Sequence, residues 1–136
     1  MNKAECIDII RTKKVGYLAT CDKELQPYVR PIDMGTVYEG CIYFSTFDNT
    51  YKIVQLNQVK NVEAVFIHNY SQLRIEGTAE KVEDKAIIDR YMHDNRSICD
   101  MNDKSVDSKL ILYCIVPKKV KYMGADDKTY TIISWG

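Results

Sequence analysis

A chain of 136 residues is long enough for one domain that withdraws roughly two-thirds of its unfolded surface from water. Its 19 Lys and Arg balance its 19 Asp and Glu, so there is no global basic field for nucleic acid, and any bound anion must be held by a local site. Although 46% of the residues are hydrophobic, no apolar run approaches the ~20 residues that cross a bilayer, which argues against a membrane partner.

The opening "MNKAECIDII" mixes charges into its apolar positions instead of separating a basic from an apolar region, which favours a cytoplasmic protein. Five cysteines are an odd number with no C-x-x-C pair among them, so buried thiols in a reducing compartment are expected rather than disulfides or a metal site. The pairs Lys13-Lys14 and Lys118-Lys119 read as solvated faces.

Along the chain, Ala4, Ile7, Ile9 and Ile10 form the apolar face of a first helix that ends before Val15-Gly16. "VGYLAT" is a strand and "CDKELQ" a polar connection. "PYVRPIDMGTVY" is a second extended segment whose two prolines place it at an edge or a bulge. Glu39-Gly40 supplies a turn into the strand "CIYFST". From Thr50 onward, Ile53, Leu56 and Val59 recur at helical spacing over two to three turns. "NVEAVFIHNY" and "QLRIEGTAEKV" follow as strands, the first apolar on both faces and therefore central. "DKAIIDRYMH" pairs Ile87 with Tyr91 and Ile88 with Met92 at i, i+4 on a surface helix, and 96–109 reads as a polar loop. "LILYCIV", "KKVKYMG" and "YTIISW" close the chain as β segments.

Strands met consecutively, about six or seven of them beside two or three short helices, predict a mainly β, α+β fold: a closed or split antiparallel barrel in one domain over 1–136.

The chemistry concentrates in "YFSTFDNTYK", where a strand gives way to Ser45, Thr46, Asp48, Asn49 and Thr50 and then to Lys52 at a helix start. A helix N-terminus offers unpaired N–H groups and the positive end of a dipole, so Thr46, Thr50 and Lys52 form a candidate phosphate cradle. The same residue types also serve as ordinary turn and N-cap residues. Arg30, in an otherwise apolar extended segment, is expected to pair beside the strand ending at Thr46 and bring a guanidinium to the same junction. His68 and His93 belong to no metal-binding or nucleophile-base motif, no catalytic residue is assigned, and reactive chemistry is expected from a bound cofactor.

In the order of its segments, the chain resembles the FMN-binding split-barrel family of pyridoxamine 5'-phosphate oxidase. The likeness is carried by "YLATCDKELQPYVRPI", "CIYFSTFDNTYKIVQLNQVKNVEAVFI" and "QLRIEGTAEKVED", and in length the chain is similar to the short bacterial members grouped with nitroimidazole-resistance proteins. The resemblance implies FMN as cofactor, a homodimer with the cofactor at its interface, and an oxidoreductase that takes electrons from a reduced nicotinamide donor. It places Arg30, Pro31 and Ile32 near the flavin, with Ser45 and Thr46 after Phe44 on the following strand. Thr50, Tyr51 and Lys52 then stand where the oxidase has its Ser-Arg-Lys phosphate triplet. Gln72 would be a flavin contact supplied across the dimer, and Trp135 is a candidate to pack on the partner or the ring. Gly35 stands where the oxidase keeps a lysine, and its arginine-rich substrate segment is missing, so pyridoxamine phosphate oxidation is not implied. The alternative is a flavin- or haem-binding module without turnover, with His68 and His93 as haem-ligand candidates.

Overall fold

The protein is described by a computed structural model that covers residues 1–48, 50–98 and 109–136. In chain order come α1 (Lys3–Lys13), β1 (Val15–Cys21), β2 (Pro27–Asp33), β3 (Thr36–Tyr38), β4 (Cys41–Phe47) and α2 (Tyr51–Gln58). They are followed by β5 (Asn61–His68), β6 (Ser71–Lys81), α3 (Lys85–Asp94), β7 (Leu110–Met123) and β8 (Thr131–Ile133). The expected loop over 96–109 lies largely outside the described residues, as does Asn49.

All pairings are antiparallel, and the order across the sheet is β2-β1-β5-β6-β7-β4-β3, with β8 added beside β7. The two ends of that path, β2 and β3, are consecutive in sequence. Only Met34 and Gly35 separate them, a span of about 11 Å between flanking Cα atoms at full extension. A flat seven-strand path would hold its edges about 28 Å apart at ~4.7 Å per strand. The sheet therefore has to curl, and the result is a split β-barrel.

The segment expected as one strand over Pro27–Tyr38 is thus two strands on opposite edges. The break is built locally. Met34 N–H donates to the Lys14 carbonyl at 2.6 Å, Gly35 N–H donates to Asp33 Oδ1 at 3.3 Å, and the Met34 side chain is fully buried. Asn2 caps α1 by accepting from Glu5 N–H, and Cys6, Ile9 and Ile10 supply its buried stripe. Asp84 caps α3 in the same way, accepting from Ala86 and Ile87 N–H groups. The hairpin turns at Glu39-Gly40 and Asn69-Tyr70 take positive φ at both central residues, as the twist of two-residue hairpins requires.

Leu18, Phe44, Phe66, Ile75 and Ile115 line the barrel interior, joined by Ile10 of α1 and Ile53 and Leu56 of α2. A smaller cluster of Tyr43, Tyr91 and Leu112 packs α3 against the outside of β4 and β7. β5 is central, as its alternation predicts: Val62, Ala64 and Phe66 are buried in the core, while Val65 and Ile67 face outward. No described helix is long and apolar enough to cross a membrane.

"LILYCIV" and "KKVKYMG", expected as separate segments, form one fourteen-residue strand that continues through Pro117. Its register with β6 slips by one residue between Glu76↔Lys119 and Gly77↔Pro117, and a proline without an N–H is tolerated at such a bulge. The backbones come so close there that a Cβ on Gly77 would lie 2.3 Å from the Val116 carbonyl oxygen. Gly77→Ala is expected to destabilise the fold by about 1–3 kcal/mol, read as a lower thermal midpoint. An unchanged midpoint would show that β7 does not approach β6 this closely.

Candidate functional site

The curled sheet brings β1 and β4 to either side of α2, which packs against both. On β2, Arg30 is in register with Leu18 of β1 and projects on the same face as Leu18 and Thr20. Its Nη1 donates to Thr20 Oγ1 at 2.7 Å and to the Leu18 carbonyl at 3.3 Å, and its Nη2 donates to Gln55 Oε1 of α2 at 2.8 Å. The Thr20 hydroxyl donates in turn to the same Gln55 oxygen at 2.5 Å. Thr20 and Gln55 are both buried.

Arg30 therefore reaches the junction by a different route from the one expected. β2 pairs with β1 through the short Asp22–Gln26 turn, and β3 takes the place beside β4. It is α2, lying across the opening, that joins Arg30 to the region after β4.

Lys52 projects from the first turn of α2 close enough to Arg30 to feel its charge. Burial, and then the neighbouring guanidinium, push its pKa below the ordinary lysine value. Burial also lowers that of Arg30. Among the described residues no carboxylate forms an ion pair with either cation.

Thr46 and Thr50 stand with their hydroxyls 3.2 Å apart. Thr50 is the N-cap of α2, but its hydroxyl turns back to donate to the Phe47 carbonyl at 3.0 Å and does not cap the helix. First-turn N–H groups that lack this cap are donors suited to an anionic oxygen. Tyr51 opens α2 as its first residue. The structure thus gathers Arg30, Thr46, Thr50 and Lys52 around one helix start, and adds Thr20 and Gln55.

The other predicted site residues are placed elsewhere in this chain. Pro31 is exposed and Ile32 packs on the core. Ser45 alternates with Thr46 and faces α3, where its Oγ accepts from the Tyr91 hydroxyl at 3.1 Å. Trp135 donates from Nε1 to the Gly40 carbonyl at 2.8 Å and lies under the Lys3 ammonium, at the opposite end of β4 from Thr46. Gln72 is on the outward face of β6, where its Oε1 accepts from the Tyr130 hydroxyl at 3.0 Å. The Tyr130 oxygen accepts from Arg74 Nη1 at 3.0 Å, and Arg74 Nη2 pairs with Glu63.

At Gly35 a Cβ would lie 2.9 Å from Lys14 Cγ, so Lys14 occupies the space beside the position where the family's lysine is expected. Lys14 also lines a separate cleft of about 510 Å³ with Arg11, Arg90 and Arg96. There Arg90 is engaged by Asp94 and the Tyr38 ring, and Asp33 also lines the cleft. Of the two histidines, His68 ends β5 with its Nε2 3.3 Å from the Asn69 amide nitrogen, and His93 is exposed on the last turn of α3.

Sequence reasoning missed Thr20 and Gln55. The available signal was a glutamine between Ile53 and Leu56, on the side of α2 that turns inward.

The profile of the pyridoxamine 5'-phosphate oxidase family matches residues 3–134. No curated protein matches the sequence. Among solved structures, a NimC/NimA family protein from Clostridium acetobutylicum superposes with a TM-score of 0.77 at 17% identity, covering 94% of this chain and 91% of that one. A haem binding protein from Mycobacterium smegmatis gives 0.78 at 15% identity, covering 97% of this chain and 57% of the other. An FAD-binding protein from Mesorhizobium loti gives 0.68 at 18% identity, covering 88% and 92%. At these identities the superpositions establish the shared split-barrel fold, and the profile match over nearly the whole chain establishes kinship: the chain belongs to the pyridoxamine 5'-phosphate oxidase family.

Proposed function

We propose that the protein is a cytoplasmic, homodimeric FMN-binding oxidoreductase that acts on a small substrate and draws electrons from a reduced nicotinamide donor. The observation that carries this is the half-buried Arg30 and Lys52 pair beside the open N-terminus of α2. Two partly desolvated cations of like sign are an unfavourable arrangement until a doubly charged group such as a phosphate joins them. Thr46 and Thr50 would donate to the remaining phosphate oxygens once their hydroxyl protons turn away from Thr50 Oγ1 and the Phe47 carbonyl. When bound, the flavin supplies the capacity to take up a hydride and pass its electrons on; the chain's own residues bind and orient it.

The two faces of the sheet support the dimer. Arg30 projects on the same face as Leu18 toward α2, whereas Gln72 lies on the outward face with Tyr17, Val65 and Ile67. One copy therefore does not bring Gln72 to Arg30, and a second copy docked on that outer face would supply it. Tyr17 and Ile67 are large side chains exposed in the single chain.

A second reading, a flavin- or haem-holding module without turnover, is favoured by the haem binding neighbour. The geometry gives it less support, because His68 Nδ1 is buried away from any entering haem and His68 Nε2 is beside Asn69. Spectra taken after separate additions of FMN and haem discriminate the two: retained flavin bands favour the first, a Soret band lost in His68→Ala the second.

Lys52→Met is expected to weaken FMN binding roughly 10- to 150-fold by titration, the equivalent of about 1.5–3 kcal/mol for a hydrogen bond to a charged group. The same change should leave the thermal midpoint of the flavin-free protein at pH 7 unchanged or higher. A lysine whose folded pKa is lowered costs stability below that pKa, and the cost disappears as pH rises through the folded and then the unfolded value. A lower midpoint, or wild-type affinity for FMN, would rule out Lys52 as an unbalanced phosphate ligand. Light scattering should give twice the chain mass, and Ile67→Lys should yield monomers that no longer retain FMN on desalting. Monomers that keep the flavin would place the site within one chain.

A further inference from the structure

The way Arg30 is held goes beyond the presence of a cation at the site. A guanidinium in a protein interior is most often fixed by a carboxylate, which supplies geometry and cancels its charge together. Among the described residues its acceptors are all neutral: the Leu18 carbonyl, the Thr20 hydroxyl and the Gln55 amide oxygen. The three-way contact is closed by the Thr20 hydroxyl donating to the oxygen that also accepts from Arg30. Thr20 and Gln55 are 2% and 6% exposed, so water is not available to replace either one.

The donor and acceptor roles follow from the chemistry. Arginine only donates, so the Thr20 oxygen accepts from it and the hydroxyl proton is directed to Gln55. Gln55 must then present its oxygen inward, which fixes the amide orientation on α2. Gln55 stands three residues after Lys52, close to one helical turn, so a single short helix carries both the second cation and the acceptor that orients the first.

We propose that Thr20 and Gln55 form a neutral clamp that positions Arg30 while preserving its full charge, so that Arg30 and Lys52 together select a ligand bearing a dianionic phosphate monoester. They are positioning residues, acting through Arg30. The inference rests on the phosphate site proposed above and deepens it, since a clamp of the same shape with a carboxylate at position 55 would hold Arg30 equally well but supply the negative charge itself.

Gln55→Glu tests this, because the two side chains are nearly isosteric and differ chiefly in charge. Flavin-free wild type and variant are titrated calorimetrically with FMN and with riboflavin, which lacks the phosphate, and their thermal midpoints are recorded. The variant is expected to lose at least ~10-fold in FMN affinity while riboflavin binding stays within about twofold, and its flavin-free midpoint should rise by about 2–4 °C. Opposite movements of stability and phosphate affinity are not produced by a residue that merely supports the fold. Thr20→Val should lower both, and Thr20→Ser, which restores the hydroxyl, should recover FMN affinity.

Wild-type FMN affinity in Gln55→Glu, or equal losses for FMN and riboflavin, would overturn the clamp. So would a lowered midpoint in that variant. Wild type that binds FMN no better than riboflavin would overturn the phosphate site and the clamp with it. That outcome appears before any substitution is made, so the two failures are distinguishable.

Discussion

Two residues, Met34 and Gly35, impose the constraint on which the architecture depends. They connect strands on opposite edges of the sheet, and so short a link can be made only if the sheet bends until its edges approach. Met34 reinforces the bend by burying its side chain completely and bonding its N–H to the end of α1. The sheet cannot flatten without exposing that methionine and losing the bond.

The site inherits its geometry from this curl. β1 and β4 are far apart along the sheet path, yet both contact α2 once the sheet has closed on itself. An eight-residue helix then spans the opening and carries Lys52 and Gln55 to Arg30. Residues from four elements meet because of a closure made elsewhere in the chain. The energetic consequence is a local excess of positive charge in a protein whose formal net charge is zero. Global charge therefore gives no hint of this local excess, which exists only through placement.

That distinction also explains what was legible in the sequence. Periodicity exposed the helix beginning after Thr50 and the central strand with Val62, Ala64 and Phe66 inward, because burial on one face leaves a repeating mark. The unusual hydroxyl-rich stretch from Ser45 to Lys52 marked the strand-to-helix junction. Other features have no such mark. "LILYCIV" and "KKVKYMG" read as separate segments, but a register slip opposite Gly77 lets β7 run through Pro117 between them, and bulges depend on a partner strand that local sequence does not reveal. The sequence leaves open which strand lies beside Arg30, because the pairing of β2 with β1 depends on a turn and that of β3 with β4 on the break at Met34-Gly35. Thr20 and Gln55 are ordinary polar residues until the fold buries them together. Ser45 and Thr46 show the limit of motif reading, since adjacent strand residues necessarily face opposite sides.

The outer face follows the same logic of directional bonds. Arg74 can only donate, so the Tyr130 oxygen accepts from it and the Tyr130 proton passes to Gln72 Oε1. With its oxygen occupied, Gln72 is left with its amide N–H groups to offer, and the Glu63 carboxylate behind Arg74 holds the chain of bonds in place. Under the proposed dimer, this makes Gln72 a donor toward an acceptor atom on the ligand's ring, while Arg30 and Lys52 of the other copy bind its phosphate. The two ends of one ligand would then be read by oppositely facing surfaces of the same sheet. In that arrangement the proposed site would not be completed by one copy, and dimerisation and cofactor binding would be coupled: each copy that docks would supply the donor its partner's site lacks.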